Sequence, residues 1–476
     1  MTGLSAIVTL DRRSLALCRI ATGLLILGDL LSRVQWFRLH YTDEGVLPRQ
    51  LLFEGMPLRF PCLHAASGWE PYLALLFAVH ALAAVSLSLG YRTRLSGFLA
   101  WYLTVSLQER IYLVNNGGDK VLASLLFWAM FLPWGEALSV DARSEETPPD
   151  PSVSSMATAV LLFQPIMIYW VSVFHKLEPT WLRGEVLLYS FQLDLYARPF
   201  AHDLLAYPLL LKGLAYLTLL WELVGPVFLL STRPRVRTAA CLAFIGMHFG
   251  FGVFLRLGVF QFSPMLYMLA FLPAAVWNWG PLRRTADGWS RLCKMLGRRS
   301  RPEVEPPVLI GRKTEFALAC LFVYVFVIAL GQDSRLRDRF PLWVQTPAHL
   351  LGLHQRWTVF VDVGNLTDGW VAVEARTTDG RTIDLWSGDQ PPVESKPPHP
   401  FRRFNSFRWP TPLVVIVGDA RLHKPFVRAL SLHWQREHPQ DQIEWARLVF
   451  YRERHRKDGR PVPAERDRLW EGSPWS

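Results

Sequence analysis

Charge is scarce in this chain. Charged residues make up 19% of its 476 positions and hydrophobic ones 51%, a balance that places it with membrane proteins before any motif is read. Cysteine is scarcer still. The five are Cys18, Cys62, Cys241, Cys293 and Cys320. None lies at metal-ligand spacing, and no metal site is expected. None follows Cys320, so the C-terminal region has no disulfide. The Walker loop, the GxGxxG turn after a strand, the GxSxG elbow and the HExxH pair are all missing, which excludes the usual soluble nucleotide-binding, hydrolase and zinc-protease patterns. No internal repeat is visible, and with it goes the inverted-repeat signal of a transporter. The first apolar run lacks a small-residue cleavage site and is long enough to span, so it reads as a helix and not as a signal peptide.

What is present is apolar sequence in long blocks, rich in Phe (29) and Trp (20). A membrane-crossing helix needs about 20 mostly apolar residues. Nine segments qualify, near 15–35, 71–89, 95–113, 121–138, 156–176, 207–231, 238–256, 259–279 and 315–331. The net charge of +11 then reads as orientation, not as nucleic-acid binding, because the basic residues sit in short loops without interleaved aromatics. Arg12, Arg13, Arg92, Arg94, Arg233, Arg235, Arg237 and the basic stretch from Arg283 to Lys313 fall on one side if the N-terminus is cytoplasmic. The loop between spans four and five, with Arg143 among several acids, is the weakest of the set. Loops 36–70, 114–120, 177–206 and 257–258, and everything after Gly331, then face outward.

After the last span the texture changes. WTVFVDV (357–363) reads as a strand. WVAVEARTTDGRTIDLW (370–386) alternates about Asp379-Gly380 as a hairpin. QPPVESKPPHP reads as loop, PLVVIVG (412–418) as a short buried strand, PFVRALSLHWQREH as a helix, and IEWARLVFYRERH as a closing strand. The expected architecture is a polytopic α-helical membrane protein of about nine transmembrane helices with a small C-terminal α+β extramembrane domain. Its parts are a membrane domain (1–285), a basic cytoplasmic linker with the last helix (286–331) and an outward-facing domain (332–476).

Polar residues inside apolar spans mark candidate sites. In YWVSVFHKLEPTWLRGE, the fifth span ends on His175 and Lys176. Lys176 has two readings. It can snorkel to the headgroups as an anchor, or act as a base, since burial disfavours an ammonium and a neutral amine can take a proton from a weak acid. Gln164 and Pro165 give the same span a polar group and a kink. His248 lies within span seven, followed by Gly250 and Gly252; it is either a neutral imidazole bonded to a neighbouring helix or a ligand contact. Glu222 in span six must be protonated, paired or facing a polar cavity. Arg19 and Asp29 in span one pose the same question, and either can be a structural pair. VNNGGDK (114–120) is either a tight turn or the rim of a cavity lined by Asn115 and Asn116.

Four stretches in order carry a family resemblance. LALCRIATGLLILGDLL with HYTDEGVLPR, NNGGDKVLASLLFWAMFLP, QPIMIYWVSVFHKLEPTWLRGE and MHFGFGVFLRLGVF together resemble the horizontally transferred transmembrane domain, the domain of the vitamin K-dependent γ-glutamyl carboxylase and its bacterial relatives. The resemblance covers about 15–285 and extends more loosely to HQRWTVF and the tail. It implies an enzyme that deprotonates a reduced vitamin K-type quinone (menaquinol or phylloquinol) with a membrane-level lysine. Oxygen then yields the epoxide, and CO2 is the further substrate where a peptide glutamate is carboxylated. On this sequence the lysine falls on Lys176, framed by Gln164, Trp181 and Gly184. His248, His175, Asn115 and Asn116 fall near the quinone. The chain departs from the family at His175, where a first lysine of a pair is usual, and at Gly117, where the animal enzyme has histidine; its tail is shorter and cysteine-free. The alternative the resemblance carries is a non-enzymatic membrane partner in export or maturation of a peptide. The expected location is a bacterial inner or cell membrane.

Overall fold

The computed structural model describes residues 3–54, 60–142, 150–297, 311–333, 335–361, 368–388, 391–392, 394–397, 404, 406–453 and 464–475. Ten helices build the membrane-facing part: α1 (Arg12–Val34), α2 (Glu70–Leu89), α3 (Thr93–Arg110), α4 (Gly117–Ala129), α5 (Met156–His175), α6 (Pro208–Leu229), α7 (Pro234–Phe254), α8 (Ser263–Ala270), α9 (Gly280–Gly297) and α10 (Arg312–Leu330). Six of them, α1, α2, α5, α6, α7 and α10, are long and apolar enough to cross a membrane. The other three expected spans fold shorter or more polar. The α4 helix has 13 residues, about 20 Å at the helical rise, and α8 has 8, about 12 Å. Pro133 and Pro273 follow them, where the chain continues without regular helix.

Contacts at the helix ends fix the direction of each pass. At one end, the Arg19 guanidinium donates to the carbonyls of Leu87 and Ser88, at the end of α2, and of Leu138, beyond α4. It thereby satisfies carbonyls that a helix end leaves open. Arg237 at the start of α7 donates to the Ile7 and Thr9 carbonyls, and Trp277 beyond α8 donates to Ser14 Oγ. At the opposite end, Arg33 of α1 meets Asp119 of α4, and Asn116 donates to the Leu257 carbonyl. The segments so joined therefore run antiparallel in turn, and the described parts of the loops 36–70, 114–120, 177–206 and 257–258 gather at the second end.

The C-terminal region packs on that same end. It contains α11 (Leu342–Leu350), α12 (Pro410–Gly418), α13 (His423–Glu437) and a four-stranded antiparallel sheet. The strands are β1 (Asp368–Thr377), β2 (Thr382–Asp384), β3 (Ile443–Glu453) and β4 (Glu465–Gly472), in the order β2-β1-β3-β4. The hairpin about Asp379-Gly380 forms as its alternation indicates, with Glu374 opposite Asp384 and Gly380 at φ +86°. Period-two alternation gives the sheet two apolar faces. Val373, Ala375, Ala446 and Leu448 join the main core with Phe426 and Trp434 of α13, while Trp370 stacks on Tyr451 on the other face.

Three strand expectations need correction. PLVVIVG folds as helix α12: a short apolar run carries no period, and Pro410 and Pro412 sit in the first helical turn, where a missing N–H costs nothing. Residues 357–361 of WTVFVDV form no strand, because they pack inward against α5; residues 362–363 lie outside the described residues. The β3 strand is central rather than closing, since the charged stretch ERDRLWEG supplies β4 on its outer side. Most of Arg143's loop (143–149) and most of the basic stretch 298–310 also lie outside the described residues.

Candidate functional site

The α5 helix presents Pro165, Ile168, Tyr169, Ser172 and Lys176 to one cavity. Their spacing is that of a single helical stripe. Lys176 is the residue that closes the helix, its own N–H bonded to the Ser172 carbonyl. Its ammonium does not snorkel to water. Lys176 is 4% exposed and Glu222 of α6 is 5% exposed, and Lys176 Nζ donates to the two carboxylate oxygens at 2.7 and 2.5 Å. The alternatives left open for Glu222 resolve to pairing. The charge of each partner offsets the desolvation of the other, which an isolated buried charge cannot escape.

The stretch after Lys176 is built to cover it. The Glu178 carboxylate accepts from the N–H groups of Thr180 and Trp181, capping the short helix Pro179–Leu182 with Pro at its first position. The cap sets the Trp181 ring 4.5 Å from Lys176 Nζ, a cation–π distance. Gly184 ends the turn at φ +70°, a conformation that favours glycine. Trp181 Nε1 in turn donates to the Phe360 carbonyl of the C-terminal region.

A second polar pair faces the same cavity. Tyr169 Oη and His248 Nε2 lie 2.9 Å apart, and the Tyr169 ring stacks on Phe244 at 4.5 Å. His248 Nδ1 is buried and has no hydrogen-bond partner among the described residues. Such an orphan is costly unless a ligand or water meets it. The remaining walls are apolar or aromatic: Phe251, Phe260, Tyr267, Trp357 and Phe360. The cavity is narrow, with about 60 Å³ open to the centre of a water-sized sphere. A neighbouring apolar groove between α6 and α7 shares Leu187, Thr218, Phe251 and Leu255 with it, and runs outward to Leu214 and Leu217, which are exposed.

The other expected site residues stand apart from the cavity. Asn116 caps α4 in a reciprocal box with Asp119, and Asn115 donates to the Gln108 carbonyl. The adjacent glycines are explained by packing: a Cβ on Gly118 would run into the backbone of Phe260, a cavity wall. Gln164 accepts from Trp128 Nε1 and donates to Gln355 at 2.9 Å. His175 Nδ1 bonds the Trp357 carbonyl at 3.1 Å. Both therefore hold the C-terminal segment that roofs the cavity. Arg19 caps helix ends, as above. Asp29 pairs with Arg33 and Arg408. Among the described residues, Asp194, Asp368 and Glu453 are near enough to share a cation, but Lys396 Nζ already bridges Asp194 and Glu453 at 2.5 and 2.7 Å.

Sequence reasoning missed Tyr169. An aromatic in an aromatic-rich span is unremarked unless the stripe through Ser172 and Lys176 is drawn. Trp357 and Phe360 were missed as cavity residues because their stretch looks like a strand.

A model of the HTTM domain matches residues 8–277, more than half of the chain. The chain belongs to the HTTM-domain family. No curated protein and no solved structure was found to match it. The matched span ends just before α9, and so includes Lys176, Glu222, Tyr169 and His248 but not the roof residues Trp357 and Phe360.

Proposed function

We propose that this HTTM-domain protein is an integral membrane enzyme that binds a reduced, vitamin K-type quinone in the cavity and removes its hydroxyl proton through Lys176. One observation carries the reading: a buried amine–carboxylate pair opens onto an aromatic-walled cavity that an apolar groove joins to the outside of the helix bundle. The walls suit a flat apolar ring, and the orphaned His248 Nδ1 suits a ring oxygen. Such a quinol would supply an acidic aromatic hydroxyl and the electrons that O2 takes as the ring is epoxidised.

The chain's own residues handle the proton. While Lys176 is an ammonium it cannot accept one. Moving a proton from Nζ to Glu222 leaves an amine and a carboxylic acid, two neutral groups that cost less to keep from water. The amine then takes the hydroxyl proton, and Glu222 keeps the one it received. The pair has gained one positive charge, which balances the anion formed. If Tyr169 donates to His248 Nε2, the neutral imidazole carries its hydrogen on Nδ1 and offers it to that anion. The roof from Trp357 to Phe360 excludes water.

Lys176→Ala is expected to abolish quinol-dependent epoxide formation in the purified protein, a loss of at least about 10²-fold. Unchanged turnover would remove Lys176 as the base. Glutamate carboxylation is the finer form of this reading, tested by incorporation of labelled CO2 into a Glu-containing peptide. Epoxide without label restricts the activity to quinol oxidation.

The basic residues Arg12, Arg13, Arg92, Arg94, Arg233 and Arg235 lie at the end opposite the cavity roof, which by the positive-inside rule supports an orientation with the roof and the C-terminal region outside a cell membrane. This requires the shorter passes α3, α4 and α8 to cross with the long ones. A phosphatase reporter fused after Ser476 should then be active; an inactive phosphatase with an active cytoplasmic reporter at the same site reverses the assignment.

A further inference from the structure

A second groove lies on the other face of the loop that walls the cavity. Ala197 and Leu255 form an antiparallel bridge, with Arg256 N–H bonded to the Tyr196 carbonyl and Arg198 N–H to the Phe254 carbonyl. Leu255 faces the Lys176 cavity; Arg256 and Arg198, each one residue beyond the bridged pair, line the second groove. Two half-buried arginines, diagonal to each other across the bridge, thereby line one groove.

Arg198 makes one side-chain bond, Nε to the Gly252 carbonyl, and among the described residues neither arginine has an ion pair. Burial, together with the nearby Arg198 cation, pushes the Arg256 guanidinium below its ordinary range, while Asp194 pulls the other way. Asp194 is already engaged by Lys396 and His202. The groove's one carboxylate, Asp29, is held by Arg33 and Arg408. Two like charges lining one groove make it a seat for an anion.

The groove's depth and rim say which anion. Its second wall is the last third of α1, Leu25, Gly28, Asp29 and Ser32, and its floor is the loop after α7. The groove thus lies toward the C-terminal ends of two helices that are long and apolar enough to cross a membrane. The adjacent stripe of α1 carries Leu24 at 56% and Leu31 at 74% exposure, and Phe262 on the opposite lip is 45% exposed. A charged seat with an apolar rim matches a molecule with an anionic head and acyl chains.

We propose that Arg198 and Arg256 seat the headgroup of an anionic phospholipid, whose acyl chains lie over Leu24, Leu31 and Phe262. A zwitterionic lipid brings its own cation and leaves the pair uncompensated. The site is independent of the quinol reading, although Leu255 couples it to the same cavity wall.

The test is retention of lipid by the full-length protein in mixed micelles of phosphatidylglycerol and phosphatidylcholine, read by mass spectrometry. The wild type should retain phosphatidylglycerol preferentially. Arg256→Gln should lower that preference about fivefold, and Arg198→Gln with Arg256→Gln more, at about the same factor per arginine. Arg233, Arg235, Arg283 and Arg284 at the opposite end contribute equally to all three proteins, so the difference reads the groove. The single variant guards against misfolding of the double one. Leu31→Ser should weaken retention of the long-chain lipid more than of a short-chain phosphatidylglycerol. Equal preference in wild type and variants overturns the proposal. So does displacement of the lipid by millimolar inorganic phosphate, which would mark a free-anion site, or by a soluble poly-glutamate peptide, which would mark a peptide site.

Discussion

Glu222→Gln is expected to destabilise the protein by about 3–5 kcal/mol, because it leaves the Lys176 ammonium buried without its counter-charge. Lys176→Met should cost a similar amount by stranding the Glu222 carboxylate. The double variant Lys176→Met/Glu222→Leu should be much nearer wild type than the sum of the two, since an apolar pair of similar volume avoids both desolvation costs. Thermal melts of the purified protein in one detergent measure all four corners of the cycle. Additive losses would mean that the two groups do not depend on each other, and would sink the pairing as the reason either is tolerated there. Activity separates a structural pair from a catalytic one. If Glu222 holds the proton that Lys176 must first give up, Glu222→Gln should lower quinol turnover by about 10²–10⁴-fold in protein that still binds the quinol. A stability loss with full turnover at low temperature would leave Lys176–Glu222 as a fastener only.

Parts of this site are legible in sequence and parts are not, for physical reasons. A carboxylate in the apolar run LLWELVGPVF announces that something must compensate it, and a lysine at the end of a span announces a choice between interface and interior. That the two answer each other is invisible, because 46 residues separate them and no local period spans that distance. The resemblance supplies Lys176 as the proposed base, but its carboxylate partner comes only from the packing of α5 on α6. The Asn115–Asn116 turn shows the reverse. Its composition fits a cavity rim, yet Asn116 is spent on capping α4 and Asn115 donates to the Gln108 carbonyl, and a local cap forms wherever Asn precedes a helix by the right interval. The C-terminal region was legible where alternation is strict, as in the hairpin about Asp379-Gly380. It was misread in PLVVIVG and WTVFV, short apolar runs without the period that distinguishes strand from helix or coil.

The larger surprise is how the C-terminal region is fastened. Arg408 donates to Asp119 at 2.7 and 3.0 Å, to the Val114 carbonyl at 3.0 Å and to Asp29, while Arg33 meets the same two carboxylates from α1. Two guanidiniums face two carboxylates at a junction where all four are buried. His40 adds no charge: burial, aided by the Arg33 and Arg408 cations, pushes it down to about 3. Arg408→Met removes one cation from this balanced set and leaves Asp29 and Asp119 to share Arg33. The expected cost is about 3–5 kcal/mol, concentrated on the contact between α12 and the helix bundle. Hydrogen exchange across 404–437 should rise while exchange in α2 and α3 stays as it was. Arg408→Lys should recover only part of the loss, because one ammonium cannot reach two carboxylates and a carbonyl with the fixed fork of an arginine. The outcome bears on the cavity as well. Phe407, beside Arg408, packs on Gly258 in the loop that carries the cavity residues Leu255 and Phe260, so loosening it should admit water to Lys176 and lower turnover before the helix bundle itself melts. Unchanged exchange in 404–437 would mean that the aromatic contacts of Trp36 with Phe404 and Trp409 hold the junction without the charges.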